Sequence, residues 1–112
     1  MSDSHPIQTR KLKSLISLSM KAGKVITGED GCLKAIRGGK AHLVLLATDA
    51  SANTRKKFSD KSSFYGVPCC CHFSKAEVEG MIGRPNRATV VIACGSFAAS
   101  MLKLFDEMDI PR

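Results

Sequence analysis

Leu43-Val44-Leu45-Leu46-Ala47 is the stretch on which the fold turns. Five apolar residues in a row are too few to span a bilayer and too uniform for a half-exposed strand, which would alternate. They predict a central strand covered on both faces. Upstream, Thr27-Gly28-Glu29-Asp30 opens a helix that carries Cys32, Leu33, Ala35 and Ile36 and stops at Gly38-Gly39. Thr27, with an acid three residues on, has the pattern of a capping box. Before it, Val25-Ile26-Thr27 is a short strand. From Arg10 to Ala22, the residues Leu12, Leu15, Ile16, Leu18, Met20 and Ala22 fall on one broad side of a helix that ends at Gly23.

Downstream, Thr48-Asp49-Ala50 makes a turn, and Ser51 caps a polar helix running to about Lys61. Residues 64–68 lead into a strand at Cys69 to Phe73. Ser74 caps a short helix ending near Ile82. The loop Gly83-Arg84-Pro85-Asn86-Arg87 precedes a strand from Thr89 to Cys94, and Ser96 caps a last helix. Strands alternating with helices place helices on both faces of one sheet, a three-layer α/β/α sandwich. The 112 residues suit one domain, read as 10–105, with a loose arm over 1–9 and an acidic tail over 106–112.

Composition narrows the function. A hydrophobic fraction of 44% supports a core, and 17 basic against 10 acidic residues give +7. That excess favours polyanionic partners, nucleic acid above all. The N-terminus has no basic-then-apolar signal, so the cytoplasm is the default compartment and no membrane partner is implied. Five cysteines, three of them consecutive (Cys69-Cys70-Cys71), read as reduced core thiols, as do Cys32 and Cys94. Strand geometry sends Cys70 one way and its neighbours the other. No paired metal-ligand spacing accompanies Cys69 to His72, and no phosphate loop, dinucleotide fingerprint or nucleophile elbow is present. No cofactor, metal, catalytic residue or small-molecule substrate follows from the sequence. Asp49, at the mouth of the central strand, reads as capping a turn or orienting a lysine.

Several phrases occur in order at matching spacing: Lys21-Ala22-Gly23-Lys24-Val25-Ile26-Thr27-Gly28, Lys34-Ala35-Ile36-Arg37-Gly38-Gly39-Lys40-Ala41, Leu43 to Ala50, Tyr65-Gly66-Val67-Pro68 and Ile82-Gly83. Over roughly Lys11 to Phe105 the chain resembles the kink-turn-binding ribosomal proteins of the seven-Ae family, above all the bacterial YlxQ-like branch. The resemblance implies a four-stranded mixed sheet between helices. It also implies binding to a sharply kinked RNA, ribosomal or ribosome-associated, in which a bulge and tandem sheared G·A pairs bend a duplex. In that family the start of the second helix enters the groove at those pairs, which maps to Gly28, Glu29, Asp30, Gly31 and Lys34. A loop covers the bulged nucleotides, which maps to Ile82, Gly83, Arg84, Pro85, Asn86 and Arg87. Archaeal members carry Asn then Glu where this chain has Asp30 then Gly31.

Each position has a plain alternative. Gly28 permits close approach of backbone to ligand or is a loop glycine. Carboxylates at Glu29 and Asp30 suit a helix start whether or not they touch a base. Lys34 and Arg37 share the polar side of their helix with Asp30 and, with Lys24, form a phosphate-contacting surface or a solvated face. Lys61 lies on a charged helix near the expected edge. Arg84 and Arg87 stack on unstacked bases or serve solubility, and Ile82 packs on an extruded base or in the core. The rival readings are a thiol-dependent enzyme using Cys69 to Cys71, and a protein–protein adaptor that kept the fold without RNA contacts.

Overall fold

The structure, a computed structural model, describes residues 6–112. Residues 1–5, most of the expected arm, lie outside the described residues. Nine elements follow in strict alternation: α1 (Pro6–Lys21), β1 (Val25–Thr27), α2 (Glu29–Arg37), β2 (Leu43–Leu46), α3 (Ala52–Tyr65), β3 (Cys69–Cys71), α4 (Lys75–Ile82), β4 (Thr89–Ile92) and α5 (Gly95–Glu107). The strands form one sheet in the order β1-β4-β2-β3. β4 runs antiparallel to both neighbours, and β2 pairs in parallel with β3. The sheet is mixed.

β2 is buried at all four positions, as is β4. Alternate residues feed two separate layers, because side chains leave a strand on opposite faces. Leu43, Leu45, Val90 and Ile92 pack with Leu12 and Ile16 of α1, Val78 and Ile82 of α4, and Met101 and Phe105 of α5. Val44, Leu46 and Val91 pack with Cys32, Ala35 and Ile36 of α2 and Phe58 of α3. Three helices therefore cover one face and two the other.

Several expected boundaries move, each for a visible reason. α1 begins at Pro6, not Arg10, since proline suits the first helical position, where its missing N–H costs nothing. Thr9 Oγ1 stands 3.1 Å from His72 Nε2, tying that first turn to the end of β3. Leu18 is 52% exposed, so the apolar face of α1 is narrower than its wheel suggests. α3 continues past Lys61 to Tyr65 and stops at Gly66, which takes φ 68° in the left-handed region. The segment expected to lead into β3 is thus the last turn of α3, and Phe64 there is 81% exposed.

α2 is capped by Gly28 without a side-chain bond, not by Thr27, and α5 by Cys94, not Ser96. α4 does carry a full capping box between Ser74 and Glu77. At the C-terminus, Asp106 and Glu107 belong to α5, and Met108 is 5% exposed. Asp109 and residues 110–112 follow the helix as turn and coil.

The thiols separate as strand geometry requires. Cys70 is buried under the α1–α5 layer and Cys69 lies at the edge of the other. Cys71 is exposed and Cys94 half-buried, which corrects the reading of all five as core residues.

Candidate nucleic-acid interface

The antiparallel pairing of β1 with β4 sets Thr27 opposite Val90. The end of β1 and the start of β4 therefore share one end of the sheet, and with them come the start of α2 and the loop after α4. Arg87 Nε donates to Thr27 Oγ1 at 3.4 Å, a direct bridge between the two segments. Between them lies a cleft of about 200 Å³ lined by Gly28, Glu29, Thr54, Lys75, Asn86, Arg87, Ala88 and Thr89.

Gly28, Thr54 and Lys75 belong to the first turns or caps of α2, α3 and α4. Three helix N-termini thus converge on this cleft. Each carries unpaired backbone N–H groups and the positive end of a helix dipole, an arrangement that favours anions. The ends of α3 and α4 are partly satisfied. Ser51 Oγ accepts from Thr54 N at 3.2 Å, and Asp49 Oδ1 accepts from Lys75 N at 2.7 Å. Asp49 is therefore a helix cap. The start of α2 has no side-chain cap, because Gly28 holds φ 89° and ψ 143° and supplies no side-chain oxygen.

The loop is shaped by two left-handed residues, Gly83 at φ 70° and Asn86 at φ 58°. Glu79 Oε2 accepts from Asn86 N at 2.6 Å, which anchors the turn to α4. Arg87 folds back over it, with Nη1 donating to Pro85 O at 3.4 Å. Arg87 is half-buried and its guanidinium is held by these bonds, while Arg84 is exposed.

The expected residues sort into groups. Gly28, Glu29 and Arg87 meet at the cleft. Asp30, Lys34 and Arg37 form an exposed stripe along the outer side of α2, with Lys34 about 9 Å and Arg37 about 13 Å from Gly28 at ~1.5 Å per helical residue. Lys24 lies at the opposite end of β1, about 13 Å from Gly28 at ~3.3 Å per strand residue, where its carbonyl accepts from Ala93 N.

The packing distinguishes three further positions. Ile82 is 5% exposed and packs in the core, so it offers no face to a base. A Cβ at Gly31 would stand 3.3 Å from Ile26 Cγ2, so that position is kept small by the packing of α2 on β1. The α3 lysine that reaches α2 is Lys57, which pairs with Glu29; Lys61 is exposed one turn further along, about 6 Å from it.

Lys57, Lys75 and Thr54 were not singled out by the sequence. Lys57 sat inside a charged run that resembles any solvated face. The usable signal was the Ser51 and Ser74 caps, which fix where the two helices start and hence which residues flank their first turns.

Burial holds the Cys32 thiol up at about 12, against a small opposing pull from a backbone bond to Val91 and from Arg87. It also raises Cys70 to about 12 and Cys69 to about 11. Cys94 shifts the other way, lowered by the backbone at Phe97 and by the Ser96 hydroxyl. Among the described residues no group of three or more His, Cys, Asp or Glu is placed to hold a metal ion, and no helix is long and apolar enough to cross a membrane.

The domain is thus a small α/β/α sandwich with three helix N-termini gathered at one end of the sheet beside a loop that carries Arg84 and Arg87. The chain belongs to the Ribosomal protein L7Ae/L30e/S12e/Gadd45 family, which it matches over residues 10–101. It is 46% identical over 97 residues to the RNA-binding protein YlxQ of Enterococcus faecium, covering 87% of this chain and 93% of that protein. It is 41% identical over 92 residues to the RNA-binding protein YlxQ of Bacillus subtilis, covering 82% and 92%. A solved protein of unknown function from Bacillus halodurans superposes with a TM-score of 0.82 at 30% identity, covering 86% of this chain and 97% of that one. The Giardia lamblia 15.5kD RNA binding protein shares the fold, with a TM-score of 0.77 at 19% identity over 96% and 99% of the two chains.

Proposed function

We propose that this protein binds a structured, kinked RNA and stabilises its bent form. The observation that carries the reading is the bridge from Arg87 to Thr27, which sets a tethered guanidinium beside the uncapped start of α2. A phosphate or an unstacked base edge can enter there and meet backbone N–H groups, Arg87 and Lys75 together. Lys34 and Arg37 extend the cationic track along α2, and Arg84 stands at the loop tip. The pairing of Glu29 with Lys57 offsets one of the two carboxylates at the helix start, which eases the approach of phosphate.

RNA-binding relatives at 46% and 41% identity support RNA as the polymer. The bent shape follows from the family resemblance in the start of α2 and the loop. A ribosomal or ribosome-associated RNA in the cytoplasm is the target class, and binding, not catalysis, is the activity. Much of the affinity comes from phosphate neutralisation and falls with salt, while contacts at the cleft supply discrimination.

The test is a titration with two RNAs, one carrying a bulge and sheared G·A pairs and one repaired to a continuous Watson–Crick duplex. Tighter binding of the first at two salt concentrations supports the proposal. Equal affinity for both overturns it.

A further inference from the structure

α1 lies in the layer opposite α2, so its outer side faces away from the cleft helix. Residues 6–24 contain Arg10, Lys11, Lys13, Lys21 and Lys24 and no acid. Arg10, Ser14, Ser17 and Lys21 are spaced i, i+4, i+7 and i+11, which aligns them within about 60° of arc over about 16 Å. With Lys13 and Leu18 they form a shallow exposed groove. Two carboxylates border it: Glu77 stands 3.9 Å from Lys13 Nζ in an exposed pair, and Glu107 of α5 lines the adjoining groove with Arg10 and Ser14, where Lys11 and Lys103 outnumber it.

An ordinary solvated helix mixes signs, since i,i+4 pairs of opposite charge support it. α3 does so, with Lys56 3.7 Å from Asp60. α1 does not. Ser14 and Ser17 also carry lower helix propensity than the Ala, Lys or Glu that exposed positions favour. Small hydroxyl groups between cations suit a surface against which a sugar–phosphate backbone lies closely, with the cations neutralising phosphates and the hydroxyls donating to them.

We propose that the outer face of α1 is a second RNA-backbone-binding surface, so that the protein bridges two RNA segments, one at the cleft and one behind the sheet. It rests on the proposed function only for the choice of polymer. Phosphates, not bases, are read here, so the second segment is taken without sequence preference.

The experiment uses the full chain bound one-to-one to a labelled kinked RNA, with a second, differently labelled straight RNA duplex added. The parent captures the duplex in a ternary complex at low salt. The variant Arg10→Gln/Lys13→Gln/Lys21→Gln retains helix propensity. It keeps its circular dichroism and its binding to the kinked RNA within about twofold, but loses the duplex. Its log K against log salt slope for the duplex alone falls by about 2–3, at ~0.7–0.9 for each phosphate no longer neutralised. Arg87→Ala does the converse, losing kinked RNA and keeping duplex, so failure of the cleft reading leaves this test intact. Duplex capture by the triple variant with an unchanged slope would overturn the proposal. So would a parent that captures no duplex, or charge-dependent binding to phosphatidylserine vesicles without binding to RNA.

Discussion

Replacing Gly28 by alanine tests the cleft at its most constrained point. Gly28 holds φ 89° and ψ 143°, a region that side chains adopt only under strain. A Cβ there meets nothing within 4 Å, so no packing clash contributes and the backbone alone sets the penalty. Strain of this kind costs about 1–3 kcal/mol, and in a domain of this size roughly 5–15 °C of melting temperature. Differential scanning calorimetry of parent and Gly28→Ala reads that shift. Gly28 lines the cleft, so a change in its backbone should also lower affinity for kinked RNA at temperatures where the variant is folded. A variant that melts within about 1 °C of the parent would refute the reasoning, because the left-handed geometry at the helix start would then not exist.

Arg87→Ala and Lys34→Ala should each weaken RNA binding in a filter titration, by about tenfold or more and about threefold respectively, taking ~1–3 kcal/mol for a charge-assisted bond and less for an exposed lysine. Lys34→Ala should leave the melting temperature nearly unchanged, and unaltered RNA affinity would remove Lys34 from the interface. Iodoacetamide labelling followed by mass spectrometry should modify Cys94 first, since its thiol is lowered, and Cys32 and Cys70 last, since theirs are raised to about 12. Cys32 reacting as fast as Cys94 would contradict the burial. The raised thiols also make stability base-sensitive. An unfolded thiol loses its proton near 9.0 while folded Cys32 keeps its own, so its contribution is complete below pH 9 and declines as pH rises toward 12. At pH 10 the loss from Cys32 is about 1–2 kcal/mol. The urea midpoint should fall over that window, and less steeply in Cys32→Ala.

The fold was legible because its decisive signals are local. An unbroken apolar run marks β2, and glycines and short polar caps mark most helix ends. The errors lie where tertiary packing overrides a local cue. Nothing near Thr27 announces that Gly28 takes the cap, and α3 continues through Phe64 and Tyr65 until a left-handed glycine can end it. The site was legible in part. The start of α2 and the arginine loop are far apart in sequence, and it is the β1–β4 pairing that brings Gly28 to Arg87. Lys57 could not be chosen from three adjacent cations without the packing of α3 on α2. The family resemblance placed Ile82 with the loop and left a base contact and a core contact both open; its burial against the α1–α5 layer, which sequence periodicity does not specify, selects the core.

A kink-forming RNA labelled with donor and acceptor dyes at its two arm ends gives the most direct reading of whether the protein selects a bent state. Addition of the parent protein at low magnesium should raise energy transfer to a plateau at one equivalent, and Arg87→Ala should shift that rise to higher protein concentration. Binding without any increase in transfer would show that the arms stay extended, and the account of this cleft as a reader of bent RNA would be wrong.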